Sequence, residues 1–224
     1  MRKNKVFIAC DTKNISKVKK IIKETQNNNL TIGYKFGLEF INSKNGRKFI
    51  SNLKNKIIFG DYKIHDIPNT RAATIKSIRD LKFNYITIHI SSGLNALKAA
   101  KKFSGKTKLV GVTILTSLDN DALKEIGFNM DVKRLVLHQA KLARKANLDA
   151  IVCSAQEVKI VKKIFKKEII TPGIRFNYKV NDQKRTLTPK QAYKNGADWL
   201  VIGRNITKGN VKKNIKRLID HLNQ

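Results

Sequence analysis

The sequence predicts an α/β protein, a single closed (β/α)8 TIM barrel over residues 1–224. Three observations carry that expectation. Short β-branched runs alternate with longer helix-period stretches throughout, the order that produces a parallel sheet with helical crossovers. Eight such runs fit into the 224 residues, the number that closes a barrel. Polar residues follow nearly every run, at the strand ends where a barrel gathers its site.

The elements follow in order. The first strand is expected at 6–10, Val-Phe-Ile-Ala-Cys, and exits at Asp11 with Lys13 beyond. A helix over 15–25 sets Ile15, Val18, Ile21 and Ile22 on one face. The second strand, 31–36, carries Lys35 before Gly37. The third, 56–61, exits at Asp61 and Lys63, which are two apart and so leave one face of an extended chain. A helix at 72–81 leads to a fourth strand, 85–90, bearing His89. After a helix at 93–103, the fifth strand, 109–115, ends at Thr116 and Ser117. A helix at 132–146 precedes the sixth strand, 150–153, which exits at Ser154, and another helix spans 155–165. The seventh strand, 168–171, runs into Pro172-Gly173-Ile174-Arg175. A helix at 189–195, the eighth strand at 199–202 before Gly203-Arg204, and a helix at 211–222 complete the series. The alternative, an open doubly wound sheet, would string these exit residues along an edge and not converge them on one rim.

Composition narrows the function classes. Hydrophobic content of 41% supports a sizeable core. No apolar run approaches the ~18 residues that span a membrane. The apolar run after the basic start, Val6-Phe-Ile-Ala, is shorter than the roughly 7–15 residues of a signal-peptide core, so a soluble cytoplasmic protein is expected. Cys10 and Cys153 each sit in an apolar strand-like run and read as buried free thiols. The net charge of +31 raises the question of a nucleic-acid partner. The lysines, however, are spread along the chain on the polar faces of helix-like segments, at Lys19, Lys20, Lys101, Lys102, Lys162, Lys163, Lys212 and Lys213 among others. Aromatics make up 7% and show no stacking-platform spacing, so no specific nucleic-acid partner is expected.

The chemistry concentrates in Asp61-Tyr-Lys-Ile-His-Asp-Ile-Pro-Asn-Thr70. Asp61, Lys63 and Asp66 form a charged cluster that Lys35 joins from the neighbouring strand. An ammonium held beside carboxylates can give a proton to a carbanion and stabilise developing negative charge. The residues alone leave a plain rim salt bridge equally open for Asp61 and Lys63, and a helix N-cap for Asp66 before Ile67-Pro68. Gly173, Arg175, Gly203 and Arg204 follow the last two strands, the usual phosphate position of such barrels. Glycine lets backbone N–H groups approach an anion, and arginine grips phosphate through two parallel bonds. His65 reads as rim packing, His89 as a supporting group, and His138 as a helix residue without an acidic partner. No His/Cys/carboxylate set has metal-ligand spacing and no nucleotide-loop motif occurs, so neither metal nor cofactor is expected.

These residues resemble the orotidine 5′-phosphate decarboxylase family from about Val6 to the final helix. The likeness covers Ala9-Cys10-Asp11, Lys35-Phe36-Gly37, the decapeptide at Asp61, Ile88-His89 and Gly111-Val112-Thr113-Ile114-Leu115-Thr116-Ser117. It continues through Val152-Cys153-Ser154-Ala155-Gln156-Glu157, Thr171-Pro172-Gly173-Ile174-Arg175, Asp182-Gln183-Lys184-Arg185 and Val201-Ile202-Gly203-Arg204. Two departures stand out: the family's usual Ala-Leu-Asp start is Ala9-Cys10-Asp11 here, and the stretch between Arg175 and Gln183 is slightly short.

The resemblance implies a cofactor-free decarboxylation of orotidine 5′-phosphate to UMP, the last step of pyrimidine synthesis. It implies that Asp11 and Lys35 hold the ribose hydroxyls, Asp61 faces the substrate carboxylate, and Lys63 protonates C6 of the pyrimidine. Thr116 would lie near the ring; Arg175, Gln183, Gly203 and Arg204 would hold the phosphate, with Gln183 in a closing loop at 176–185. Asp66, Ile67 and Thr70 would reach the partner subunit's site in a homodimer with shared active sites. The alternative is a sugar-phosphate lyase of the same barrel group, of the hexulose-phosphate synthase or keto-gulonate-phosphate decarboxylase type. Such enzymes look to a magnesium ion, and the second strand here is followed by no acidic residue beyond Glu39.

Overall fold

The structure is a computed structural model and describes residues 3–27, 29–176 and 187–223. Eight parallel strands close in sequence order: β1 (Asn4–Ala9), β2 (Leu30–Gly37), β3 (Ile57–Ile64), β4 (Tyr85–His89), β5 (Lys108–Val112), β6 (Ala150–Val152), β7 (Glu168–Thr171) and β8 (Trp199–Ile202), with β8 pairing back onto β1. This is the expected (β/α)8 barrel. Around it run α1 (Ile15–Glu24), α2 (Leu38–Ile41), α3 (Gly46–Ser51), α4 (Pro68–Ser77), α5 (Leu94–Lys102), α6 (Asn120–Glu125), α7 (Val132–Lys145), α8 (Val158–Ile164), α9 (Pro189–Lys194), α10 (Arg204–Thr207) and α11 (Val211–Asn223). No helix among the described residues is long and apolar enough to cross a membrane.

The strands alternate their side chains between two buried regions, as a period of two requires. Val6 and Ile8 of β1, and Cys10 just beyond it, face the helices in the larger core, while Phe7 and Ala9 join the barrel interior. The interior is plugged by an aromatic layer. Phe7 stacks on Trp199 at 4.0 Å between ring centroids and lies 4.9 Å from Phe59 and 5.2 Å from Tyr85. Gly33 of β2, which pairs with Phe7, makes room for that ring: a Cβ there would sit 2.5 Å from it. On β2, β3 and β4 the next inward positions toward the strand C-termini are polar, so the same alternation that fills the plug delivers Lys35 and Asp61 to the space above it and sets Thr87 against Asp61.

Side-chain caps fix where several helices begin. Asn14 accepts from the Lys17 N–H, Asp119 from Ala122 and Asp131 from Arg134, while Thr188 and Gln191 form a capping box at α9. At the opposite mouth, lysine–carboxylate pairs close the strand N-termini. Lys101 meets Asp149 and Lys162 meets Asp198, each at 2.6 Å, and Lys108 meets Glu168 at 2.9 Å. Asp149 and Asp198 also accept the N–H groups of Leu109 and Ile169, near the starts of β5 and β7.

Several boundaries differ from expectation. β3 runs on to Ile64 instead of stopping at residue 61, and α4 starts at Pro68 instead of residue 72. β5 ends at Val112, three residues short of the expected end, where the chain turns out toward the rim. Helices α2, α3, α6 and α10 were not expected; at four to six residues each, they are too short to show a period.

Candidate active site

A cavity of about 460 Å³ opens at the strand C-terminal ends, above the aromatic plug. Asp11, Lys35, Asp61, Lys63, Thr116, Arg175, Gly203 and Arg204 all line it, together with Gly173. Six strands thus bring eight of the expected site residues to one space. Gln183 lies outside the described residues.

The floor carries a chain of alternating charge. Lys35 Nζ lies 3.3 Å from Asp11 Oδ1 and 3.0 Å from Asp61 Oδ2, and Lys63 Nζ lies 2.9 Å from the same Asp61 oxygen. Burial alone would raise the Asp61 pKa, but the Lys35 and Lys63 ammonium groups outweigh it and hold the carboxyl at about 2. Burial alone would likewise lower Lys35, yet the Asp61 and Asp11 carboxylates push it above the ordinary lysine value. The in-chain network is therefore Asp11–Lys35–Asp61–Lys63. The expectation that Asp66 joins this cluster is corrected: Asp66 is exposed, does not line the cavity, and makes no ion pair among the described residues.

Lys63 reaches Asp61 by a route the simple two-residue spacing did not predict. The β3–β4 pairing jumps from Gly60↔Ile86 to Ile64↔Ile88, so four residues of β3 advance against two of β4. Within that bulge Lys63 has a left-handed backbone, φ +50°. Such a conformation costs a non-glycine residue on the order of 1–3 kcal/mol and persists only where neighbours enforce it. The Lys63 N–H donates to Thr87 Oγ1 at 2.8 Å, and Thr87 Oγ1 donates to Asp61 Oδ1 at 3.0 Å.

Asp66, Ile67 and Thr70 lie in a wholly exposed stretch over 65–70 that leaves this rim. The N-cap of α4 is Ile67 and not Asp66. Proline at the first helical position forces the residue before it into extended backbone, so Ile67 takes the cap position and Asp66 instead accepts the Ile67 N–H at 2.7 Å. The base of the stretch is anchored by Arg71, a wholly buried arginine that sequence reasoning missed. Its Nη2 donates to the Ile64 and His89 carbonyls, 2.6 Å each, tying the ends of β3 and β4 together. Burial lowers its pKa to about 10.

The residues that follow β7 and β8 also converge. Gly173 follows β7 with φ +74°, a conformation glycine adopts without penalty, and turns the chain into Ile174. Arg175 is held at the cavity wall by its N–H to the Leu187 carbonyl. Gly203 caps α10, and Arg204 is the first residue of that helix, so its dipole points positive charge toward the cavity. Ile114, Leu115, Val152 and Pro172 supply an apolar wall.

The histidines play lesser parts. His65 sits on the rim 5.3 Å from the His89 ring, and His138 is exposed on α7. Burial, with the charges of His65, Lys63 and Arg71, lowers His89 to about 4. Both cysteines are buried, and burial pushes the Cys10 thiol to about 12. No group of three or more potential metal-ligating side chains occurs among the described residues.

Known proteins share this architecture and sequence. The model of the orotidine 5′-phosphate decarboxylase / HUMPS family matches residues 4–218. An orotidine 5′-phosphate decarboxylase of Wolbachia sp. subsp. Brugia malayi is 46% identical over 191 residues, covering 83% of this chain and 84% of that protein. One from Carboxydothermus hydrogenoformans is 40% identical over 215 residues, covering 90% of this chain and 88% of that protein. The crystal structure of orotidine 5′-phosphate decarboxylase from Lactobacillus acidophilus superposes with a TM-score of 0.83 at 30% identity, covering 99% of this chain and all of that one. With the family match spanning nearly the whole barrel, this chain belongs to the orotidine 5′-phosphate decarboxylase / HUMPS family.

Proposed function

We propose that this protein converts orotidine 5′-phosphate to UMP and carbon dioxide, the final step of UMP biosynthesis, by electrostatic catalysis through its own side chains. The observation that carries the reading is Asp61 Oδ2 clamped between two ammonium groups on the floor of an anion-ready cavity. Relatives at 40–46% identity, all orotidine 5′-phosphate decarboxylases, favour it over the sugar-phosphate lyases of the same barrel group.

In this reading Gly173, Arg175, Gly203 and Arg204 grip the phosphate, and Gln183 adds to that grip. Asp11 and Lys35 take the ribose hydroxyls, and Thr116 lies beside the pyrimidine. Asp61, kept ionised by its neighbours, faces the substrate carboxylate. The C6–carboxyl bond breaks with its electron pair left on C6, and carbon dioxide departs. Lys63 Nζ then delivers a proton to C6 and recovers one from water. Fixed ammonium groups aimed at the developing carbanion suit this chemistry, since one preorganised donor contributes about 10²–10³ in rate. Phosphate binding, remote from C6, supplies energy for closing and drying the site.

The reading includes a homodimer in which Asp66, Ile67 and Thr70 complete the partner's site. Their exposure supports it, Ile67 being 66% exposed, as do the exposed apolar side chains Leu38 and Leu115 on the same rim. Two buried thiols suit a reducing compartment, and the proposal places the enzyme in the cytoplasm.

Loss of orotidine 5′-phosphate absorbance on adding purified protein with excess chelator tests the activity. Turnover is expected, and folded protein without turnover overturns the reading. Mixing inactive Lys63→Ala and Asp66→Ala subunits tests the sharing. Activity is expected to reappear, because a hybrid dimer contains one site with both native residues; a mixture that stays inactive places Asp66 in its own chain's site.

A further inference from the structure

The mechanism above leaves unused a neutral side chain that touches the ion network. Thr87 of β4 is 1% exposed and lies opposite the β3 bulge, the point where the ladder between the two strands is interrupted. Its hydroxyl makes two bonds, to the Lys63 N–H at 2.8 Å and to Asp61 Oδ1 at 3.0 Å. A backbone N–H can only donate and an ionised carboxylate can only accept. The direction of both bonds is therefore fixed: the hydroxyl oxygen receives from Lys63 and its single proton goes to Asp61.

We propose that Thr87 is a positioning residue that sets the proton donor and its carboxylate partner with one hydroxyl. This inference rests on the reading of Lys63 as the proton donor. The bond to the Lys63 N–H replaces the ladder bond that the register jump removes, and so holds the left-handed turn that points the lysine back along the cavity. The bond to Oδ1 blocks rotation of the Asp61 carboxylate. That leaves Oδ2 as the oxygen shared by Lys35 and Lys63, at 3.0 and 2.9 Å. Valine at 87 would match threonine in shape but offer neither bond. Lys63 N–H and Asp61 Oδ1 would then each lack a partner in a buried place, and the bulge could relax toward a regular strand.

The effect belongs to the chemical step and not to binding, because Thr87 does not line the cavity. Thr87→Val is expected to lower kcat by about 10- to 100-fold, the scale of a misplaced reacting group. KM for orotidine 5′-phosphate and Kd for UMP should stay within about threefold, as for a loss confined to the transition state. Thr87→Ser keeps the hydroxyl and is expected to recover most of kcat. Unchanged kcat in folded Thr87→Val overturns the proposal. An equal loss in Thr87→Ser does so too, because packing of the methyl would then be the cause. If valine prevents folding, amide exchange in the native protein decides: Lys63 N–H is expected to be protected, and rapid exchange overturns the assignment. Native protein that fails to turn over orotidine 5′-phosphate counts against the decarboxylase reading, whereas a native kcat in Thr87→Val counts against this inference alone.

Discussion

At the N-terminal mouth of the barrel, Lys162 and Asp198 meet at 2.6 Å while Asp198 also accepts the Ile169 N–H; at the C-terminal mouth, Lys63 and Asp61 meet at 2.9 Å on the floor of an open cavity. The two pairs use the same functional groups for different ends. The lower carboxylates are satisfied by regular backbone and close the strand starts, so their geometry follows from the sheet itself. The upper pair rides on a bulge with a left-handed lysine, held by a buried threonine and terminated by a buried arginine. An ordinary strand supports the lower pair at no conformational cost, whereas the upper pair needs neighbours to enforce it. Strained backbone of that kind marks the mouth where the chemistry takes place.

The contrast can be broken most sharply at Lys63. Lys63→Ala is expected to lower kcat by at least about 10³-fold, roughly 4 kcal/mol of barrel-top transition-state stabilisation. Its melting temperature should shift by no more than about 2 °C, because a partly exposed lysine adds little to stability. A large melting shift with modest kinetic loss would make the upper pair structural like the lower one. Phe7→Ala probes the plug between the mouths. It is expected to cost about 3–5 kcal/mol in urea unfolding, with kcat of the folded protein changed only a few fold. Asp198→Ala tests the lower mouth: a loss of about 1–2 kcal/mol in unfolding, with kcat and KM unaltered. A fall in kcat there would mean that the lower pairs are coupled to the site.

Acid sharpens the comparison further, with the smallest expected effect. His89 titrates near 4 when folded, below its ordinary 6.5, so the unfolded chain takes up the proton first. Stability should therefore fall as pH drops from about 6.5 to 4, and His89→Gln should flatten that slope. Asp61 behaves in the opposite region. Its folded value of about 2 lies below the unfolded one, so its contribution is full above pH 4 and is lost only toward pH 2. Unfolding curves at pH 7.5 and pH 5 separate the two, and an unaltered slope in His89→Gln would remove histidine as the cause.

The eight strands were legible because each is a short β-branched run between amphipathic stretches. The charged exits were legible because alternation places Lys35 and Asp61 on the inward face. The detail that sets the lysine was not. A threonine in Tyr85-Ile-Thr-Ile-His reads as ordinary strand propensity, and only the interrupted ladder gives its hydroxyl two partners. Arg71 falls just before the helix expected at 72–81, α4 lacks a clear apolar stripe, and nothing local announces two strand-end carbonyls nearby. Asp66 looked like a member of the cluster because it is close in sequence. Pro68 then fixed Ile67 in extended backbone and carried the segment out of the cavity. Both kinds of miss concern long-range partners, which spacing along the chain does not encode.

The aromatic plug of Phe7, Phe59, Tyr85 and Trp199 also governs traffic. It closes the barrel beneath Asp61, so the reaction chamber is blind from below. Carbon dioxide freed there has no downward escape and must leave past the bound nucleotide. Until it does, it stands beside a carbanion able to recapture it. Commitment to product then depends on a race between outward diffusion of a small gas and delivery of one proton, and in the proposed reading Lys63, fixed 2.9 Å from Asp61, favours the proton.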